Sequence, residues 1–252
     1  NTNLINIAIL GAVSAGKSTL LNALHVSSYS DMKIKRTTMT PQVYIESDSL
    51  SQKESRNIRN NNTKINKEMN SMSEGELNIE DIKETIYIVP RIKNLHNLKE
   101  KVHLAIYDLP GLNDSQTKDI YFQYLEENFY KFDIILFVVD IRTAINTSDE
   151  SDILKKILEN AKKSKEEYGI QQKLIVLANK CDDLNYDSKT GDLEFENDEL
   201  EEMYDQIEMI VKERINNIFP DLEYKLLPLS SQDTYIYRMY QEDPTYELDI
   251  EH

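Results

Sequence analysis

Gly11-Ala12-Val13-Ser14-Ala15-Gly16-Lys17-Ser18 is the stretch of this chain whose residue types and spacing suit chemistry best. Two glycines bracket a short loop and Lys-Ser follows at once, which is the G-x-x-x-x-G-K-[ST] arrangement of a phosphate-wrapping loop. Gly11 and Gly16 let backbone N–H groups approach phosphate oxygens because they carry no Cβ. An apolar run (Leu4, Ile5, Ile7, Ala8, Ile9, Leu10) precedes the loop, and Thr19, Leu20, Leu21, Asn22, Ala23 and Leu24 follow it. The order is therefore strand, loop, helix. The helix that follows offers free N–H donors and the positive end of its dipole to the same anion. Lys17 is placed to reach β- and γ-phosphates, and the Ser18 hydroxyl to ligate Mg²⁺.

Three further clusters fit the same ligand. Asp108-Leu109-Pro110-Gly111 ends an apolar run, so Asp108 can hold a Mg²⁺ water while Gly111 offers its N–H to a γ-phosphate. Thr37 and Thr38 precede Pro41 in the segment after the first helix, where a threonine can complete a Mg²⁺ shell. Asn179-Lys180-Cys181-Asp182 ends another apolar run and selects the base. The Asp182 carboxylate can accept from N1–H and the exocyclic amine of guanine. Adenine presents no such pair of donors and would leave the carboxylate unpaired, which is costly. The Lys180 stem can cover the base and Asn179 can brace the loop. Ser230 and Ser231 end the last apolar run and fall at the same edge. Each tetrapeptide alone is also an ordinary turn; the weight lies in their convergence.

The elements that position these residues read as an alternation. A helix covers about 17–25, and a strand Gln42–Glu46 follows Pro41. Residues 47–78, rich in Ser, Asn, Lys and Glu, read as a solvated insertion with short helices or partial disorder, within a polar region extending to about 100. Strands are expected over Glu84–Ile92 and Lys101–Tyr107, paired as an antiparallel hairpin across His96–Leu98. Gln116–Phe132 has helical apolar spacing, and Asp133–Asp140 is a strand apolar enough to be covered on both faces. Thr147 with Glu150 forms a capping box for the next helix, and Gly169 ends it. Lys173–Ala178 is a strand, Asp187–Gly191 a polar loop, Asn197–Phe219 a helix and Glu223–Leu229 a last strand. An acidic, tyrosine-rich tail over about 233–252 follows. This order predicts an α/β fold of one domain over 1–252: a three-layer, mostly parallel sheet with helices on both faces. Ligands of such sheets bind beyond the carboxyl ends of the strands, where the glycine loop, the Asp108 turn and the Asn179 turn fall and which the Thr38 loop can reach.

Bulk properties narrow the partners. The 252 residues carry 45 acidic and 29 basic side chains, a net charge of −16. That charge argues against nucleic acid and against unaided docking on anionic lipid. A single cysteine, Cys181, excludes an internal disulfide and suits a reducing, cytoplasmic setting. No apolar run reaches the ~18 residues of a membrane-spanning helix. The histidines show no metal-ligand spacing. The chain opens on Asn1 almost inside its first strand, as expected of a piece cut close to a domain edge.

From about residue 4 to 232 the chain resembles the GTPase superclass, the P-loop G domains. Ser14-Ala15-Gly16-Lys17-Ser18, Thr38 three before Pro41, Asp108-Leu109-Pro110-Gly111, Ser231-Gln232-Asp233 and the insertion before the Asp108 strand are similar to the dynamin superfamily. The resemblance implies GTP hydrolysis to GDP and phosphate, activated when two such domains form a nucleotide-dependent homodimer. It implies a Mg²⁺ shell of Ser18, Thr38 and, through water, Asp108, with Thr38 also positioning the attacking water. Ser14 corresponds to the serine that helps hold a monovalent cation, K⁺ or Na⁺. Gly11, Ser14, Ala15, Gly16, Lys17, Ser18, Thr19, Asp108, Gly111, Asn179, Lys180, Asp182, Ser230 and Ser231 are the implied nucleotide contacts; Ser14, Lys17, Thr38 and Gly111 the catalytic set. Membrane contact is implied only through parts absent from this chain.

Two positions depart from familiar patterns. Val13 stands where the family often has Gln, and Leu112 follows Gly111 where small regulatory GTPases have a water-orienting Gln. Slow hydrolysis by the monomer is the expectation. A catalytically weak guanine-nucleotide switch that signals by occupancy is the alternative these two residues support. A ribosome-linked or assembly GTPase fits the long insertion poorly, and Asp182 argues against a P-loop kinase or ATPase.

Overall fold

The computed structural model describes residues 3–30, 32, 38, 40–48, 57–70, 79–92, 98, 101–112, 118–145, 147–182, 184–187, 189–190 and 193–246. Its strands, in chain order, are β1 (Asn3–Gly11), β2 (Gln42–Ser47), β3 (Thr85–Pro90), β4 (Val102–Asp108), β5 (Ile134–Asp140), β6 (Lys173–Asn179), β7 (Leu184–Tyr186), β8 (Leu193–Phe195) and β9 (Tyr224–Leu229). The helices are α1 (Lys17–His25), α2 (Ile58–Asn70), α3 (Lys118–Asn128), α4 (Ser148–Tyr168), α5 (Asp198–Ile218) and α6 (Ser231–Glu242). One sheet of seven strands runs β3-β2-β4-β1-β5-β6-β9, and β7 and β8 form a separate antiparallel ribbon. Neighbours in the large sheet are parallel except β2 with β4. This is the mostly parallel, two-sided sheet expected of a P-loop G domain.

Alternation along the strands builds the two outer layers. Ala8, Leu10, Phe137, Val139, Val176 and Ala178 share one core with α3, α4 and α5. Ile9, Ile106, Val138 and Leu177 face the other way, against Leu20 and Leu21 of α1 and Ile58 of α2. Both faces of the central strands are thus dry, which is why their sequences read as unbroken apolar runs.

The expected hairpin between the strands around 84–92 and 101–107 is not what forms. β2 lies between them, parallel to β3 and antiparallel to β4. Burial gives the reason: β2 is covered almost throughout, whereas Ile86 and Ile88 of β3 stand exposed at the rim of the sheet. Of the turn expected across His96–Leu98, residues 96 and 97 lie outside the described residues, as do 49–56 and 71–78 of the insertion. Between those stretches the insertion contributes α2.

The long helix expected over 116–132 resolves into α3 followed by a 3-10 turn at Phe129–Lys131. Thr147 caps α4 by accepting from the Glu150 N–H, and Gly169 ends the helix in the left-handed region at φ 67°. The reciprocal half of the capping box is absent: the Glu150 carboxylate accepts from the Thr143 and Thr147 hydroxyls instead. The polar loop around 187 is flanked by the β7–β8 ribbon. The tyrosine-rich tail begins with α6, which packs on α1 and places the Tyr235 hydroxyl 2.7 Å from Ser28 Oγ.

Candidate nucleotide-binding site

Three chain reversals meet at the carboxyl edge of the sheet. β1 delivers the glycine loop. Gly11 has no room for a side chain: a Cβ there would lie 2.4 Å from the Val138 carbonyl oxygen on β5. Gly16 takes φ 100° at the N-cap of α1, and a Cβ there would meet Asn179 Nδ2 at 2.1 Å. Ser14, exposed, adopts φ 65°, a conformation a non-glycine residue holds only where its surroundings impose it. No side chain caps α1 and its first turn holds no acid, so nothing acidic competes for the dipole of its first turn. Ser18 and Thr19 are half-buried in that turn.

Lys17 is buried, and its ammonium donates to the Gly11 and Ala12 carbonyls at 3.2 and 2.8 Å. The cation is folded back on its own loop. Beyond it, at the end of β4, Asp108 is fully buried. Its Oδ2 accepts from the Thr38 hydroxyl at 3.1 Å, while Oδ1 has no hydrogen-bond partner among the described residues. Burial pushes the Asp108 carboxyl up to about 6, against the pull of the Lys17 charge and the Thr38 hydroxyl. A buried carboxylate oxygen left open beside two hydroxyl-bearing segments fits a hydrated hard cation, whose preferred ligands are oxygens.

The Asp108 turn is pressed against the glycine loop. A Cβ on Gly111 would meet Val13 Cγ2 at 2.4 Å and the Val13 nitrogen at 2.9 Å, and Leu112 N–H donates to the Gly11 carbonyl at 3.3 Å. Leu112 itself is buried in the core shared with α3 to α5, so its side chain belongs to packing.

The third reversal, after β6, is tied to the glycine loop and to the start of α6. Asn179 is buried; its Nδ2 donates to the Ala15 carbonyl at 2.8 Å and its Oδ1 accepts from the Ser231 N–H at 2.9 Å. One side chain therefore joins the glycine loop, the β6 turn and the start of α6. Ser230 caps α6 and donates to Asp182 Oδ1 at 3.1 Å. Lys180, at φ 68°, extends to an ion pair with Asp140. Gly16, Thr19, Arg142, Lys180, Asp182 and Ser231 line a cleft of about 360 Å³ beside this turn.

Arg142 was not among the sequence-derived candidates. Its turn is pinned by the bond from Ile141 N–H to the Asn179 carbonyl, 3.0 Å, which sets Arg142 Nη2 3.2 Å from Asp182 Oδ2. Nothing in the local sequence marks it; only the β5–β6 pairing brings the two residues together. Among the described residues no group of His, Cys, Asp or Glu forms a metal cluster, so hydroxyls and one carboxylate are what the cation side offers.

A family model described as the dynamin family matches residues 7–181. The chain belongs to the dynamin family. The match spans the glycine loop, the Thr38 segment, the Asp108 turn and most of the Asn179 turn, and the fold above is that of a dynamin-like GTPase domain. A bacterial dynamin from an oligomerised pair superposes with a TM-score of 0.51 at 19% identity, over 93% of this chain and 34% of that one. The GTPase-like domain of Ski7 from S. cerevisiae, bound to GDP and inorganic phosphate, gives 0.50 at 18% identity, over 98% and 51%. An uncharacterized protein of Acanthamoeba polyphaga mimivirus is 25% identical over 195 residues, 74% of this chain and 30% of that protein. This dynamin-family chain thus spans about a third of the length of the mimivirus and bacterial relatives.

Proposed function

We propose that this domain binds GTP with Mg²⁺ at the edge formed by the three reversals and hydrolyses it to GDP and phosphate. The observation that carries the proposal is the buried Asp108 carboxylate, held beside the Thr38 hydroxyl and within reach of the Lys17 charge. Ser18, Thr38 and, through water, Asp108 are the residues to hold the metal, which supplies neutralisation of charge on the β- and γ-phosphate oxygens.

The chain's own part follows from its contacts. Lys17 exchanges the Gly11 and Ala12 carbonyls for phosphate oxygens, a swap of neutral for charged acceptors that favours the bound state. Thr38 turns its hydroxyl from Asp108 toward the metal side and helps position the attacking water. Gly111 presents its N–H to the γ-phosphate across Val13. Ser14 joins a K⁺ or Na⁺ in balancing the phosphate charge. Asp182 releases Arg142 and Ser230 to accept from the guanine N1–H and amine. Pairing of two domains over the nucleotide accelerates the reaction. The second reading, a guanine switch of weak activity, draws support from Val13, which is apolar, and from Leu112, which is committed to the core.

Phosphate release from GTP and ATP, with Mg²⁺ in K⁺ and in Na⁺ buffers, tests this across protein concentration. GTP-specific turnover whose rate per molecule rises with concentration supports hydrolysis by pairing. Tight GTP binding without turnover at any concentration selects the switch.

Base selection gives a separate prediction. Asp182→Asn replaces one acceptor by a donor, so it is expected to weaken GTP by about 1.5–3 kcal/mol. The same change should strengthen xanthosine triphosphate, whose purine carries a carbonyl where guanine has its amine. Competition against a fluorescent guanine nucleotide reads both; unaltered preference would remove Asp182 from the base site.

A further inference from the structure

Gln42 and Asp108 stand directly opposite in the antiparallel pairing of β2 with β4. Opposed side chains leave the same face of the sheet, with Cβ atoms about 4.5–5.5 Å apart. Both residues are fully buried, and among the described residues each keeps one unsatisfied polar atom: the Nε2 donor of Gln42 and the Oδ1 acceptor of Asp108. A buried polar atom without a partner costs about 1–3 kcal/mol. Two complementary ones on facing residues can relieve each other by a side-chain rotation.

The far end of Gln42 is already held. Its Oε1 accepts from the Tyr44 hydroxyl at 2.8 Å, and that hydroxyl accepts from Asn62 Nδ2 at 3.0 Å. Asn62 is a buried residue of α2, the helix of the insertion; it also donates to the Tyr29 carbonyl at 3.0 Å and accepts from the Tyr87 hydroxyl at 2.6 Å. Polar groups therefore continue from the cation side of the cleft, under β2, to the insertion helix. Tyr44 senses the nearby carboxylate: burial raises its hydroxyl well above the ordinary tyrosine range, and the Asp108 charge adds to the rise.

We propose that Gln42 is a positioning residue for Asp108, its amide N–H closing on Oδ1 to fix the carboxylate, with α2 setting the amide through Asn62 and Tyr44. The inference rests on Asp108 serving the metal side of the nucleotide site. It gives the insertion a specific duty: holding the metal carboxylate from behind, through a β2 residue that touches no ligand.

The test titrates Mg²⁺ against the purified domain saturated with a fluorescent GDP analogue. Gln42→Leu is expected to leave GDP binding in EDTA within about twofold of wild type while raising the Mg²⁺ midpoint about 10- to 100-fold, the usual effect of losing an outer partner of a metal ligand. Asn62→Ala should move the midpoint the same way by less, and Gln42→Leu with Asn62→Ala should do no more than Gln42→Leu alone, because both act on one chain of contacts. Amide hydrogen exchange across residues 58–70 gives a readout independent of activity: Mg²⁺ with GDP slows it in wild type and not in Gln42→Leu. Should Gln42→Leu fail to fold, Tyr44→Phe removes the hydroxyl that orients Gln42 while retaining its stacked ring on Tyr29, and carries the same expectations. An unchanged Mg²⁺ midpoint in the folded variants, or additive effects, overturns the inference. A wild-type protein whose GDP binding ignores Mg²⁺ overturns instead the metal assignment beneath it.

Discussion

Lys17→Ala is expected to weaken nucleotide binding severely while leaving the fold intact. Lys17 is a buried cation whose ammonium donates to the neutral Gly11 and Ala12 carbonyls. A triphosphate offers it charged oxygens instead, and charge-assisted bonds are about twice as strong as neutral ones. Removing one member of such a buried charge pair costs about 2–5 kcal/mol, so GTP and GDP should each bind roughly 30- to several-thousand-fold more weakly. The domain's net charge of −16 gives the phosphates no alternative attraction of comparable strength. The truncation also strips Asp108 of the cation that holds its carboxyl down, so that group rises further and becomes a poorer partner for any metal. Calorimetric titration of GTP and GDP reads the loss, with far-UV circular dichroism as the check on folding. Binding or turnover like that of the wild type would show that phosphate is held elsewhere.

How much of this was legible in the sequence depends on the range of the interaction. The glycine loop, Asp108 turn and Asn179 turn could be read directly because each motif sits at the end of an apolar run, and runs of that kind end at one edge of a parallel sheet. Gly16 could be placed too, although its reason is tertiary: the close approach of Asn179, remote in sequence, admits no Cβ. Strand order was the weak point. Two strands close in sequence suggest a hairpin, yet the buried Tyr44 of β2 requires cover on both sides, and β3 and β4 provide it. That arrangement is what puts Gln42 opposite Asp108, and no local pattern signals it.

The missed helix α6 has a similar cause. Its tyrosines and acids read as solvated tail, and Tyr237 and Tyr240 are indeed exposed. What holds the helix is a cap at Ser230, burial of Tyr235 against α1 and the bond between Ser231 N–H and Asn179. The cap is local, but the other two depend on residues from distant parts of the chain. Arg142 escaped for the same reason, since its relation to Asp182 exists only once β5 pairs with β6.

Asp108→Asn should change stability and metal response in opposite directions. The Asp108 carboxyl is lifted from its ordinary 3.8 to about 6, chiefly by burial. Between about pH 4 and 6 the folded chain therefore retains a proton that the unfolded chain has released. Stability falls as pH rises through that window and stays at the lower level above it, a cost on the order of 3 kcal/mol at neutral pH. Asparagine carries no charge to desolvate and keeps an oxygen for the Thr38 hydroxyl. The nucleotide-free variant is expected to unfold at higher denaturant than wild type at pH 7.5, by about 1–3 kcal/mol, with the difference vanishing near pH 4. In the presence of nucleotide the advantage should reverse, because the amide cannot take the place of a carboxylate toward a hard cation. Urea unfolding at the two pH values, with and without Mg²⁺ and GDP, separates the contributions. A wild-type protein that is the more stable of the two at pH 7.5 without ligand would mean that burial of Asp108 is compensated within the fold. The expected result means the opposite: the domain keeps, at a cost to its own stability, a charge whose partner arrives with the nucleotide.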